Sequence, residues 1–308
     1  MKVVITQRVF PETIDLLSPH AEVIISPPSP DADALMVFMP DSLNEGFLHS
    51  CSKLKIVAAA LKGCDNFDVE ACTRLGIWFT IVPDLLTEPT AELALALMLG
   101  VARNVLAGDR LIRSGGFQGW RPTLYGKGLT GSTVGLIGFG AVGRALARMV
   151  QGFSCTVHYF DPAVDGSAPL DTVLGSSDFV LPLLPLTPQT FHLVGGEALS
   201  RMRRGRYLIN VSRGSIVDED AVAEALESGQ LAGYAADTFE MEDWARGDRP
   251  REISPRLLRL TDRTLFTPHL GSAVADARRE IERAAASNIL QVLRGERPAG
   301  AINDPVKR

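Results

Sequence analysis

Three residues of complementary chemistry stand at the ends of three successive short apolar runs. Arg213 follows Ile209-Asn210-Val211-Ser212, Glu242 comes shortly after Ala236-Asp237, and His269 follows Phe266-Thr267-Pro268. In an open parallel sheet the carboxyl ends of all strands lie along one edge, where ligands bind, so this placement gathers the three residues. A guanidinium offers a planar fork for an oxyanion. An imidazole titrates near neutrality and can act as general base, while a carboxylate fixes its ring and stabilises the imidazolium. Singly, each would be an ordinary ion pair, structural histidine or solvated acid; as a trio on one sheet edge they describe a site.

The element that must position such a trio begins at Thr133-Val134-Gly135-Leu136-Ile137-Gly138-Phe139-Gly140-Ala141-Val142-Gly143-Arg144. An apolar strand runs into Gly138, and a helical pattern continues at Val142, Leu146, Met149 and Val150. Gly138, Gly140 and Gly143 allow the turn, the close approach of a pyrophosphate and tight helix–strand packing, and the helix start offers free N–H groups. A second strand, Cys155 to Phe160, ends on Asp161, at about the twenty-residue spacing of an acid that accepts adenosine ribose hydroxyls. The cofactor expected is NAD: a carboxylate repels a 2′-phosphate, and Pro162 and Ala163 supply no cation to hold one.

The 308 residues suffice for two domains, and 46% hydrophobic with 22% charged residues marks an ordinary globular chain. A net charge of −5 argues against nucleic acid as partner, so an anionic substrate must be held by local cations. Cys51, Cys64, Cys72 and Cys155 form no C-x-x-C pair and no metal-spaced cluster with the five histidines, so no metal is expected. The start of the chain is too short an apolar run for a signal peptide, and a cytoplasmic protein without membrane contact is expected.

Strands and helices alternate through both halves, which predicts α/β architecture: two Rossmann-like or flavodoxin-like domains with doubly wound parallel sheets. Strands are expected at Lys2 to Thr6, Glu22 to Ile25, Ala34 to Met39, Lys55 to Ala59 and Ile77 to Thr80, and later at 179–184, 207–211, 232–236 and 264–267. The proline-rich link 26–33 is too short for a crossover helix and should be extended, which leaves the neighbouring strand order open. A helix over 89–104, apolar almost all round, is expected to be buried between domains or in a subunit interface. A last helix over 272–294 should return the chain to the first domain, giving a substrate domain of 1–86 and 272–308 split by a dinucleotide-binding domain of 87–271.

Asn210-Val211-Ser212-Arg213-Gly214, the spacing of Asp237 and Glu242, and Thr267-Pro268-His269 resemble the D-2-hydroxyacid dehydrogenase family over nearly the whole chain. The resemblance implies the split two-domain fold, hydride transfer with NAD, an Arg, Glu and His catalytic set at Arg213, Glu242 and His269, and a homodimer. It also implies that Ala141, Val142, Leu184, Pro185 and Asp237 line the cofactor. A narrower resemblance, to the members of this family that oxidise phosphite to phosphate, lies in ALKGCDNFDVEACT from Ala60, VPDLLTEPTAELA from Val82, GYAADTFEMEDWARGDRP from Gly233 and TLFTPHLGSAV from Thr264. Hydroxyacid enzymes generally have Glu-Pro where this chain has Glu242-Asp243. This second resemblance implies phosphite as substrate, Lys62 as a cation on its oxygens, and Met39, Trp120, Tyr125 and Arg278 around it. An NAD-dependent D-2-hydroxyacid dehydrogenase and an NAD-sensing corepressor remain the alternatives. The link 27–30 and the segment 164–170 are shorter than the phosphite-enzyme pattern, away from the matched runs.

Overall fold

The computed structural model describes residues 1–82 and 84–305. Pro83 and the last three residues of the expected 272–308 segment therefore lie outside the described residues. The chain forms two compact units: the first comprises Met1–Leu86, Trp244–Gly247 and the residues from Ser272 onward, the second Thr87–Asp243 and Asp248–Gly271. Trp244–Gly247 joins the first unit, where the Ala245 N–H donates to Asn66 Oδ1 at 3.3 Å.

The first unit is built on five parallel strands, β1 (Lys2–Ile5), β2 (Glu22–Ile25), β3 (Ala34–Val37), β4 (Ile56–Ala59) and β5 (Trp78–Thr80), in the order β2-β1-β3-β4-β5. Strands β3 and β4 are buried throughout, which is why they read as unbroken apolar runs rather than alternating ones. Their alternate side chains feed two cores. Leu35, Val37, Val57 and Ala59 meet Leu43, Leu48 and Phe79 on one face; Ala34, Met36, Ile56 and Ala58 meet Ile281, Ala285 and Ile289 of the helix Ala275–Leu293 on the other.

The link between β2 and β3 is resolved by strand order. Both strands pair with β1, one on each side. The connection therefore crosses about 10 Å of sheet and returns along about 13 Å of strand, which eight extended residues at about 3.3 Å each can span without a helix. Two backbone bonds, Ser26 N to Ile5 O and Asp33 N to Lys2 O, tie its ends to β1 itself.

The second unit carries six parallel strands, β6 (Thr133–Ile137), β7 (Thr156–Phe160), β8 (Phe179–Pro182), β9 (Arg206–Asn210), β10 (Leu231–Ala236) and β11 (Thr264–Phe266), ordered β11-β10-β9-β8-β6-β7. The chain runs from β6 outward to β7, then returns to the other side of β6 as β8. That reversal between β6 and β8 is the topological switch point at which such sheets bind ligands. The long apolar helix spans Thr87–Ala102, and its Ala91, Ala94, Leu97 and Met98 share a core with Leu136, Leu146 and Val150. Leu93, Leu95 and Leu99 of the same helix are partly buried against that core. Asp218 caps Glu219–Glu227 by accepting from the N–H groups of Asp220 and Ala221, and the last helix, Ala275–Leu293, starts three residues later than expected and stops before Gly295 at φ 79°. Among the described residues no single helix is long and apolar enough to cross a membrane.

One buried acid knits the first unit together across the length of the sequence. Glu282, 3% exposed, accepts from the Phe10 N–H at 2.8 Å, from Thr13 Oγ1 at 3.3 Å and from Arg278 Nε at 3.3 Å. The variant Glu282→Ala leaves those donors unanswered and should cost about 2–4 kcal/mol. Denaturant titration checks this: the midpoint should fall while the slope stays unchanged, and an unmoved midpoint would show that water replaces the lost acceptor.

Candidate active site

Strand β6 ends at Ile137 because the next residue must turn sharply. Gly138 has φ 104°, and a Cβ there would stand 2.5 Å from the Leu183 carbonyl oxygen just past β8. Its N–H donates to Phe160 O at 2.8 Å, joining the ends of β6 and β7. Asp161 closes the turn: Oδ2 accepts from the Phe139 N–H at 2.8 Å and Oδ1 from the Ala163 N–H at 3.0 Å. The acid that sequence spacing marks for a ribose therefore also shapes the glycine loop. Gly140 is exposed at the start of the helix Ala141–Gln151, and a Cβ there would meet nothing within 4 Å. Open space beside the free N–H groups of a helix's first turn is what a pyrophosphate requires, so these residues fit NAD. Gly143 backs onto the Gly138 carbonyl oxygen, 2.8 Å from a built Cβ. Ala141 and Val142 are half-buried in that first turn; Leu184 is half-buried and Pro185 exposed in the loop after β8, across the switch point.

Strand β9 ends in buried Asn210, whose side chain organises the turn beyond it. Its Nδ2 donates to Arg213 O at 2.9 Å, and its Oδ1 accepts from Ser212 N and Ser212 Oγ at 3.1 and 2.8 Å. This local turn sets the backbone of half-buried Arg213, whose Nη1 donates to Ser212 O. The short 3₁₀ turn Gly214–Ile216 then packs backbone to backbone against the next one, Glu240–Glu242; a Cβ on Gly214 would lie 1.8 Å from the Phe239 carbonyl carbon.

Glu242 reaches both ways. Oε1 accepts from the Phe239 N–H at 2.8 Å, and Oε2 lies 2.7 Å from His269 Nδ1. The carboxylate assigns the imidazole proton to Nδ1, which leaves the Nε2 lone pair as the basic atom. His269 itself sits at φ 57°, held by its N–H to Asp237 O at 2.9 Å and Thr267 O at 3.1 Å. Asp237 is 1% exposed, and its carboxylate accepts from Thr267 Oγ1, Leu270 N and Gly271 N. Burial pushes its carboxyl up, against the pull of those donors. The structure thus occupies Asp237 with shaping the loop around His269, where the family resemblance has it lining the cofactor.

The remaining expected site residues divide between the units. In the first, Arg278 donates from Nη1 to Ala60 O at 3.1 Å and lies over the Phe38 ring at 5.0 Å, just past the ends of β4 and β3. Burial lowers the guanidinium's hold on its proton, with Glu282 opposing. Lys62 is exposed two residues beyond Ala60, and Asn66 Nδ2 donates to the carbonyl of half-buried Met39 at 2.9 Å. Met39, Lys62 and Arg278 therefore gather at one edge of their sheet. In the second unit, Trp120 and Tyr125 are 78% and 80% exposed and belong to neither core. Sequence reasoning missed Asn210, Gly214 and Glu282; the Asn-x-Ser step before Arg213 was the available signal for the first.

Comparison with known proteins places this geometry among relatives. Residues 95–271 match the model described as D-isomer specific 2-hydroxyacid dehydrogenase, NAD binding domain. A glyoxylate reductase of Thermococcus litoralis is 36% identical over 290 residues, covering 90% of this chain and 85% of its own. One from Thermococcus onnurineus is 32% identical over 99% of this chain and 96% of its own. A solved structure from Thermus thermophilus superposes with a TM-score of 0.89 at 32% identity, covering 98% of this chain and all of the other.

The contact at Gly214 yields a direct test. Gly214→Ala must drive the two 3₁₀ turns apart, which should cost about 1–3 kcal/mol and, by displacing Arg213 from Glu242, about 100-fold in turnover. Steady-state kinetics beside a thermal melt check it; full activity would mean the turns separate without disturbing the site.

Proposed function

This chain belongs to the D-isomer specific 2-hydroxyacid dehydrogenase family, and on that premise we propose that it oxidises phosphite to phosphate with hydride transfer to NAD. The observation that carries the dehydrogenase chemistry is the 2.7 Å bond from His269 Nδ1 to Glu242, on the same NAD-binding unit as the ordered Arg213 turn. A second reading, the interconversion of a 2-hydroxy acid with its 2-oxo acid, is backed more directly by the relatives named glyoxylate reductase. What supports phosphite is the run Asp243-Trp244-Ala245-Arg246. Trp244–Gly247 falls in the unit that holds Lys62, Met39 and Arg278, and is bonded there through Asn66.

Bound NAD supplies the hydride acceptor. The Arg213 fork holds substrate oxygens and offsets the charge that builds on them. His269 Nε2 takes one proton: from the water that attacks phosphorus in the first reading, from the C2 hydroxyl in the second. In the first, the P–H bond breaks with its electron pair leaving as hydride, a P–O bond forms to the water oxygen, and phosphate, NADH and one proton result. Glu242 meets the positive charge on the imidazolium and keeps the ring from turning. Asp161 favours NAD over NADP by its negative charge. A homodimer belongs to the same proposal, supported by the exposed apolar side chains Ile112, Phe117, Trp120 and Tyr125.

Purified protein with NAD and phosphite, orthophosphate being counted beside NADH, separates the readings when run against glyoxylate with NADH and a panel of D-2-hydroxy acids. Equal amounts of NADH and phosphate without hydroxy-acid turnover support the first; turnover of the acids alone discards it and keeps the trio. Absence of any turnover with NAD bound favours the corepressor alternative. Replacement His269→Ala should lower kcat by about 100- to 10,000-fold with NAD affinity little changed, and near-normal turnover would remove His269 as the base.

A further inference from the structure

The turn that carries Glu242 is fixed at both ends by buried carboxylates. At its start, Glu240 has Oε2 3.0 Å from His192 Nε2 and Oε1 3.3 Å from the Glu219 N–H, while its own N–H donates to Glu219 Oε1 at 2.9 Å. At its end stands Asp243, 3% exposed, whose Oδ2 accepts from the Ser215 N–H at 2.8 Å. Ser215 is fully buried in the middle of Gly214–Ile216, the turn directly after Arg213. Asp243 is also the last residue of the second unit before the chain passes to Trp244–Gly247.

A buried carboxylate is costly to desolvate, and a three-residue 3₁₀ turn has little stability of its own. The close backbone contact at Gly214 keeps the two turns touching, and His192 bridges them, its N–H donating to Ser215 O at 2.8 Å and its Nε2 lying 3.0 Å from Glu240 Oε2. The Asp243–Ser215 bond is directional and joins the end of one turn directly to the middle of the other. We propose that Asp243 is a positioning residue: it registers the turn after Arg213 against the turn bearing Glu242, so that the oxyanion fork and the His269–Glu242 base are held as one body. This inference rests on the catalytic reading of Arg213 and His269. Asp243 acts through the Ser215 N–H, on the backbone that carries the fork, rather than on the substrate.

Three proteins decide it: wild type, D243A, and D243N, which keeps an oxygen for the Ser215 N–H but loses the charge. The readouts are kcat and KM with NAD plus phosphite or NADH plus glyoxylate, whichever wild type turns over, together with NAD affinity and amide exchange of the segment 213–216. D243A should lose about 30-fold in kcat, in keeping with a misplacement of about 1 Å, with NAD affinity within about twofold, and Ser215 exchange should speed up by about tenfold. D243N should recover both to within about threefold of wild type, since the bond needs an acceptor and not a charge. A kcat for D243A within about twofold of wild type overturns the proposal, and so does D243N as impaired as D243A, which a simple loss of packing predicts. If D243A does not fold, D243E takes its place, its extra methylene being expected to cut kcat at least about fivefold at unchanged NAD affinity; an unchanged kcat overturns the proposal. If wild type turns over neither substrate, the catalytic reading fails by itself and exchange decides the register: undisturbed Ser215 protection in D243A overturns it, and a loss confined to 213–216 that D243N reverses upholds it.

Discussion

The second unit depends on one constraint: six strands run parallel, so every chain segment leaving the sheet at its carboxyl edge must turn there, in the same place. Several of these exits are governed by side chains at the strand ends. Asp161 closes the turn after β6 together with the end of β7, Asn210 shapes the segment after β9, and Asp237 holds the loop after β11 from the end of β10. Groups that would otherwise be solvated are thereby engaged by backbone N–H donors, and the loops they order carry the residues that can do chemistry.

The same logic explains why so much of the polar character here is buried. Asp237, Glu219, Glu240 and Asp243 are all at most 9% exposed and all accept from backbone N–H groups or buried side chains. Burial, helped by the neighbouring Glu240 and Asp220 carboxylates, pushes the Glu219 carboxyl up, with the N–H groups of Ser254 and Glu240 drawing it back. Such groups stabilise little net of their desolvation. Their effect is directional: a carboxylate bonded to two or three N–H groups admits one loop conformation where apolar packing would admit several. The His269–Glu242 pair, more exposed than these, sits on top of that scaffold.

In the first unit the corresponding device is Glu282, which joins the loop before Pro11–Leu17 to the long helix near the other end of the sequence. It also orients Arg278, whose second anchor is the Ala60 carbonyl oxygen at the end of β4. Nothing in residue spacing marked Glu282, because its donors at Phe10 and Thr13 lie more than two hundred and fifty positions away and a helical Glu is ordinarily solvated. Why residue 214 must be glycine escaped notice for a similar reason. Its partner is the backbone at Phe239, and a glycine's need for space shows only when the neighbour is in place.

What residue order settled by itself were features with a local physical cause. Runs of buried β-branched and apolar residues placed the strands to within two positions, side-chain caps and a positive-φ glycine placed the helix ends, and Gly138 with Asp161 placed the dinucleotide turn. The gathering of Arg213, Glu242 and His269 at one edge also came from order alone, since parallel strands leave no other edge. Only the tertiary structure decided the rest. It put β2 and β3 on opposite sides of β1, packed the buried side of the apolar helix Thr87–Ala102 into the core of the second unit, and turned Asp237 toward the His269 loop. It also assigned Trp244–Gly247 to the first unit and left Trp120 and Tyr125 in solvent. Those outcomes depend on which distant groups meet, and a sequence states the periodicity of a segment without stating what it will pack against.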